Sequence, residues 1–275
     1  MATWDASAPH SIELPGLAVL VRGWLHGNIV RIGPDLVDTG YYTGFDALDS
    51  WLVGPVERIF LTHVHSDHSG GIAALRDRDS AVAVYGHPDA IAIVEPWDLE
   101  RLWIDNTGQE IPRFSIDHPL PSRVDIGGRG FDVIPAGGHA TGGVCFVDDA
   151  GVMISGDALW ERGFGILNPV IDGPGVFDDA AGALDRIEEA APRVVIPGHG
   201  APFTDVRGAL GRARVLLERM RDPKDLRRRA FMGAVGFWVL IDPTLDAEAI
   251  KARLADQGVD PTAPWVAPLL QKLGR

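Results

Sequence analysis

The stretch Thr62-His63-Val64-His65-Ser66-Asp67-His68-Ser69-Gly70-Gly71 decides how this chain is read. Four candidate metal ligands, His63, His65, Asp67 and His68, fall within six positions, directly after the β-rich run from Arg58 to Thr62. Imidazole and carboxylate suit zinc and similar ions. His63 and His65 lie two residues apart, so an extended segment aims both to one side. A following turn can then present Asp67 and His68 to a second position. One histidine alone is more often structural or exposed than a ligand. Three histidines and an aspartate beside an apolar strand would be costly without a shared partner, which favours a joint ligand role over a solvated loop.

Working outward, Leu17 to Val21, Ile29 to Ile32 and Asp35 to Asp38 read as short strands. Phe45, Leu48, Trp51 and Leu52 recur at helical spacing, and Gly54-Pro55 ends that helix. A short helix from Ser69, a strand from Ala81 to Tyr85 and a helix from His87 to Val94 follow. Phe131 to Ala136, Val144 to Val147 and Val152 to Ser155 read as a meander of strands. An amphipathic helix carries Phe177, Ala180, Ala181, Leu184 and Ile187, and Arg193 to Ile196 is the last expected strand. Beyond Gly200 the pattern is helical: Val206 to Met220, Ala230 to Leu240, Asp246 to Asp256 and Pro264 to Leu273. The alternation fits an α/β fold of layered sheets with outer helices. A boundary near Pro202 divides a catalytic domain, 1–202, from a C-terminal helical extension, 203–275, packed on it.

Further candidate ligands stand at strand ends. His139 lies in Gly137-Gly138-His139-Ala140-Thr141-Gly142-Gly143, Asp157 in Ser155-Gly156-Asp157, and His199 in Ile196-Pro197-Gly198-His199-Gly200. Asp38 lies in Leu36-Val37-Asp38-Thr39-Gly40. With the first cluster, this ordered set resembles the signature of the metallo-β-lactamase superfamily over roughly the first 200 residues. The resemblance implies an αββα sandwich with a two-metal site. His63, His65 and His139 would hold one ion, Asp67, His68 and His199 the other, and Asp157 would bridge both. It implies divalent ions, zinc first, with iron or manganese as alternatives. Asp67 would also orient the attacking water or take up a proton. Asp38 would steady the histidine loop, and His26 would border the cleft near the substrate. Each of these last two also has a plain reading, as a turn aspartate and an exposed loop histidine.

The resemblance further implies hydrolysis by a hydroxide held between two metal ions, with an ester, lactone or thioester of a small molecule as substrate. Asp157 argues against the true β-lactamases of the superfamily, which lack it, leaving that activity at most as a side reaction. A histidine at 65 argues against the di-iron redox members. The run from Asp67 to Gly71, with Gly156-Asp157, is similar to glyoxalase II, but an arginine-rich glutathione signature is not evident between Ala158 and Gly175. The seven ligands are also those of the lactonases, whose catalytic tyrosine has no counterpart among Tyr41, Tyr42 and Tyr85. A mononuclear iron sulfur dioxygenase, a phosphodiesterase and a non-catalytic binding protein remain as alternatives.

Composition narrows the classes. The chain has 275 residues, 46% apolar and 23% charged, with eight Trp and ten Phe, enough for a substantial core rather than disorder. The net charge of −13 and the short basic run Arg227-Arg228-Arg229 argue against nucleic acid as substrate. The lone Cys145 excludes an intrachain disulfide and reads as a small buried filler. The N-terminus, with Asp5 and Glu13, shows no secretory pattern, so a cytoplasmic location is expected. The most apolar segment, Phe231 to Ile241, is too short to span a bilayer and reads as a buried helix. The C-terminal helices would cap the cleft or form a homodimer contact. The cleft walls are expected from Trp97 to Trp103 and Leu159 to Gly175, with Arg101 and Arg162 as candidates to meet a substrate carboxylate.

Overall fold

The structure is a computed structural model that describes residues 9–23 and 26–275, apart from the Asn106 side chain. The stretch read above for a leader begins outside the described residues. Two twisted sheets form the centre. One has seven strands in chain order: β1 (His10–Leu14), β2 (Leu17–Val21), β3 (Ile29–Ile32), β4 (Asp35–Val37), β5 (Arg58–Phe60), β6 (Ala83–Gly86) and β7 (His118–Pro119). Pairing is antiparallel from β1 to β4 and parallel from β4 to β7. The other holds β8 (Arg123–Ile126), β9 (Arg129–Pro135), β10 (Val144–Asp148), β11 (Val152–Gly156) and β12 (Val194–Pro197), in the order β12-β11-β10-β9-β8. Only the β11–β12 pair in it is parallel.

Side-chain alternation along each strand builds the layers. Val19, Val30, Val37 and Phe60 of the first sheet meet Phe131, Val144, Phe146, Ile154 and Ile196 of the second in one buried cluster. Their neighbours point outward. Leu20, Ile29, Leu36 and Ile59 pack under α1 (Phe45–Trp51), α3 (Ile72–Arg78) and α4 (Pro88–Val94). Cys145, Met153 and Val195 pack under α6 (Val176–Ala190) and α7 (Val206–Met220). The result is the expected helix–sheet–sheet–helix sandwich. Each large side chain buried this way is worth roughly 1.5–3 kcal/mol.

Beyond α7, helix α8 (Pro223–Ile241) joins α9 (Ala247–Asp256) and α10 (Val266–Lys272) around Val235, Ile250, Leu254, Val266, Leu269 and Leu270. The residue-202 boundary falls before α7, whose Val206, Ala209, Leu210, Ala213 and Leu217 share one core with α6. The separate apolar cluster begins with α8. Asp222 caps that helix by accepting from the Lys224 backbone N–H at 2.8 Å, with Pro223 in the first turn. This explains why α8 starts seven residues before the expected Ala230. The expected burial of Phe231 to Ile241 is only partial: Gly233, Val235, Gly236 and Phe237 are buried and the remainder half-buried or exposed. Strands β1, β7 and β8 were not legible from apolar runs, because their residues are largely exposed. Among the described residues no helix is long and apolar enough to cross a membrane.

Candidate metal centre

Every candidate ligand sits on a segment leaving the C-terminal end of a strand or joining two strands at that edge. The segment after β5 carries His63 and His65 and turns into the one-turn helix α2 (Ser66–Ser69), which holds Asp67 and His68; the helix expected from Ser69 is α3, which begins at Ile72. His139 lies between β9 and β10, Asp157 follows β11, and His199 follows β12. Cross-sheet hydrogen bonds hold these loops together. Val144 N–H donates to the Thr62 carbonyl at 2.8 Å. Asn28 donates through Nδ2 to the carbonyls of Pro197 and Gly200, at 2.9 and 2.6 Å, fixing the loop of His199. Gly198 matters by its lack of a side chain: a Cβ there would stand 2.3 Å from Asp157 Oδ1. A Cβ on Gly165 would stand 2.3 Å from His139 Nδ1.

All seven side chains are buried and converge. Three overlapping sets have their ligand atoms within 4.8 Å of one another: His63, His65 and His139; His63, His68 and Asp157; Asp67, His68 and His199. Asp157 stands between the groups. Its Oδ2 is 3.3 Å from His139 Nε2, and its Oδ1 is 3.5 Å from both His68 Nε2 and His199 Nε2. Asp67 Oδ2 is 3.3 Å from His199 Nε2.

The remaining ring nitrogens reveal which tautomers the site holds. Asp38 accepts from Thr62 N–H at 2.8 Å, from Thr62 Oγ1 at 2.7 Å and from His68 Nδ1 at 2.8 Å. A carboxylate only accepts, so His68 Nδ1 carries a proton and Nε2 faces the cluster. The Thr62 hydroxyl hydrogen is used on Asp38. It therefore accepts from His63 Nδ1, 3.1 Å away, and His63 Nε2 is left buried with no hydrogen bond. His139 Nδ1 donates to the Ile166 carbonyl at 2.7 Å, and its Nε2 also makes no hydrogen bond. Buried polar atoms are rarely left unsatisfied. Two inward imidazole nitrogens with free lone pairs, next to carboxylates, are a donor set that fits a cation.

The electrostatics agree. Burial, reinforced by neighbouring imidazoles, pushes His63 and His65 well below the usual histidine range, so both are neutral. Burial also lowers His139, partly opposed by Asp157. Burial works against a charge on His68 and His199 too, but carboxylates overcome it. Asp67, Asp157 and Asp38 hold His68 well above its ordinary value, and Asp157 with Asp67 raises His199 to about 9. Burial favours the neutral acid at Asp157, yet His199 and His68 keep it well below the usual carboxylate range. Without metal, protons on His68 and His199 supply the positive charge that the two carboxylates demand.

Asp38 is thus buried against the histidine loop. His26 is half-buried, its carbonyl accepting from Tyr41 N–H at 2.9 Å, and burial followed by Arg22 lowers it to about 4. It couples to Asp67 and His199 but does not line the cleft. The cleft is bounded by His65, Asp67, His139, Asp157 and His199 together with Trp103, Thr107, Trp160, Ile166 and Phe237. Both expected wall segments contribute, and α8 caps the cleft with Phe237. Arg101 does not line it: it donates to Asp98 Oδ2 at 3.0 Å and to the Ile171 carbonyl at 3.3 Å, tying one wall to the other. Arg162 is exposed beside Glu161. Cys145 is fully buried, its thiol pushed by burial to about 12, as suits a filler.

Sequence reasoning gave Trp160 no role beyond the cleft loop, yet its indole Nε1 donates to Asp157 Oδ1 at 3.0 Å and its ring lies 5.2 Å from that of His199. Trp103 packs on His65 with ring centroids 4.9 Å apart, from a left-handed backbone (φ 62°). Nothing in the sequence pattern singled out Phe237.

Comparison with known proteins matches these features. The family model for the metallo-beta-lactamase superfamily matches residues 22–199, which hold all seven candidate ligands. The probable metallo-hydrolase YqjP of Bacillus subtilis is 27% identical over 63% of this chain and 62% of its own length. A hydroxyacylglutathione hydrolase of Halorhodospira halophila is 27% identical over 58% of this chain and 46% of its own. The chain thus spans about half to three-fifths of these curated relatives. Among solved structures, TTHA1623 in a di-iron-bound form is 30% identical, with a TM-score of 0.53, over 70% of this chain and 94% of that one. Family match, fold and ordered ligand set agree: this chain belongs to the metallo-beta-lactamase superfamily.

Proposed function

We propose that the chain is a metal-dependent hydrolase with a two-ion site that cleaves an ester, lactone or thioester of a small molecule. In this reading His63, His65 and His139 hold one ion, Asp67, His68 and His199 the other, and Asp157 serves both. One observation carries it: the two oxygens of Asp157 face different histidine groups, Oδ2 toward His139 and Oδ1 toward His68 and His199. A single carboxylate between two cations lowers their repulsion. Two divalent ions held there would supply Lewis acidity toward a carbonyl and a nucleophile, by lowering the pKa of a water to about 7.

The chain's own groups do the rest. Asp67 lines the cleft and is the residue to orient the attacking water and accept its proton. Asp38 and the Ile166 carbonyl fix the rings of His68 and His139, so their inward nitrogens need no reorganisation. Trp103, Trp160 and Phe237 exclude bulk water from the scissile bond. The di-iron relative and the His/Asp donor set make iron a metal to test beside zinc.

The test is a substrate panel on metal-reconstituted protein: a γ-lactone, an acyl thioester, an aryl ester, a β-lactam and a phosphodiester. Cleavage confined to the carbonyl substrates and abolished by chelator is expected. Turnover of only the phosphodiester, or oxygen consumption without hydrolysis, would overturn the reading.

A further inference from the structure

Resting on the hydrolase reading above, we infer that the cleft beside the histidine–aspartate cluster takes an uncharged, apolar acyl group, and that Phe237 of the C-terminal helix α8 sets this preference. Apart from the cluster itself, the described residues that bound the cleft are Trp103, Thr107, Trp160, Ile166 and Phe237, with no lysine or arginine among them. Three separate segments supply these walls: the 97–107 segment, the loop after β11, and α8. A cleft beside a donor cluster and walled by aromatic rings has the polarity of a small-molecule site.

The arginines of those segments nearest the walls in sequence are turned to other tasks. Arg101 bonds Asp98 and the Ile171 carbonyl, and Arg229 of α8 donates to the Phe164 carbonyl at 2.9 Å. Arg162 sits at the surface beside Glu161. A carboxylate on the acyl group would lose its water against these walls with no side-chain counter-charge. An aliphatic or aromatic acyl group meets mainly carbon and ring faces there, the Thr107 hydroxyl being spent on the Trp103 carbonyl.

Phe237 is the wall the superfamily match does not include, because that match ends at residue 199. Its position is held firmly. Gly233, one helical turn earlier, brings α8 directly onto Ile166: a Cβ at 233 would stand 2.7 Å from Ile166 Cδ1. Further along, Leu240 packs against the core under the first sheet. Phe237 itself is 8% exposed, so the helix delivers the ring into the cleft mouth rather than to solvent.

Two measurements test this. Zinc-reconstituted full-length protein is assayed with p-nitrophenyl butyrate and p-nitrophenyl hemisuccinate, each rate divided by that ester's uncatalysed rate. Binding of the neutral ketone 4-phenylbutan-2-one to metal-depleted protein is measured by calorimetry. Expected is a kcat/KM at least about tenfold higher for butyrate, and ketone binding weakened about tenfold by Phe237→Ala but only slightly by Phe237→Leu. Ile166→Lys, at a half-buried wall position, is expected to shift the preference toward the hemisuccinate. Equal corrected rates for the two esters would overturn the inference and leave the hydrolase reading standing. Ketone binding unchanged by Phe237→Ala, with the melting temperature retained, would also overturn it. Phe237-dependent ketone binding without cleavage of either ester would support the pocket and remove the ester from the hydrolase reading.

Discussion

Asp38 and His68 lie 2.8 Å apart, carboxylate oxygen to ring Nδ1, although 30 residues of chain separate them. Asp38 makes this contact from a left-handed backbone (φ 58°), a conformation that costs a non-glycine residue energy and persists where surrounding bonds enforce it. The same carboxylate also takes both donors of Thr62, and Thr62 in turn fixes His63. One side chain therefore orients a ring in each of the two histidine groups.

Asp38→Ala should weaken metal binding by about 10- to 100-fold, the range typical for losing a partner behind a ligand. Asn tolerates the left-handed backbone and can still accept one bond, so Asp38→Asn should lose less. Competition with a chromophoric chelator measures both. Unchanged affinity in Asp38→Ala would show that His68 needs no such support.

Trp160→Phe removes a single hydrogen bond, to Asp157 Oδ1, while keeping a ring against His199. A bond to a charged acceptor is worth about 1.5–3 kcal/mol. The variant should fold with a melting temperature close to that of the parent yet lose the more weakly held ion roughly tenfold more readily. Chelator-challenge kinetics reads this directly. Equal release rates would confine Trp160 to the cleft wall.

The fold was legible where ligands and apolar alternation coincide. Strands β2, β3, β5, β10, β11 and β12 bury side chains on both faces and read as apolar runs. β8 escaped because its pattern alternates exposed and buried over four residues, and β7 because it is two exposed residues. The seven converging site residues were visible because their types cluster and recur at strand ends. Trp160, Thr62 and Phe237 were not, since their contacts depend on tertiary packing that brings an indole N–H, the Asp38 carboxylate or α8 to the site. No sequence spacing encodes these contacts.

The metal-depleted protein should show a stability maximum near pH 6.5. His199 is raised to about 9, so its contribution is full below about 6.5 and is lost as pH rises through about 9, and the raised His68 acts in the same sense. His26, lowered to about 4, and the lowered His63 and His65 act oppositely: stability falls as pH drops below about 6.5, where the unfolded chain takes up protons that the folded chain refuses. Thermal melts from pH 5 to 9.5 after chelator treatment should trace both arms. Added metal should flatten the alkaline arm, because cations replace the protons on His68 and His199. A melting temperature that rises steadily across the range would contradict these protonation states.

The most direct test of a shared two-ion site is metal content per chain in the parent protein and in Asp157→Ala, both purified without chelator and dialysed against equal metal. About two ions in the parent and one or fewer in the variant, at unchanged secondary structure, is the expected result. Equal stoichiometry in the two proteins would contradict the placement of Asp157 between the metals.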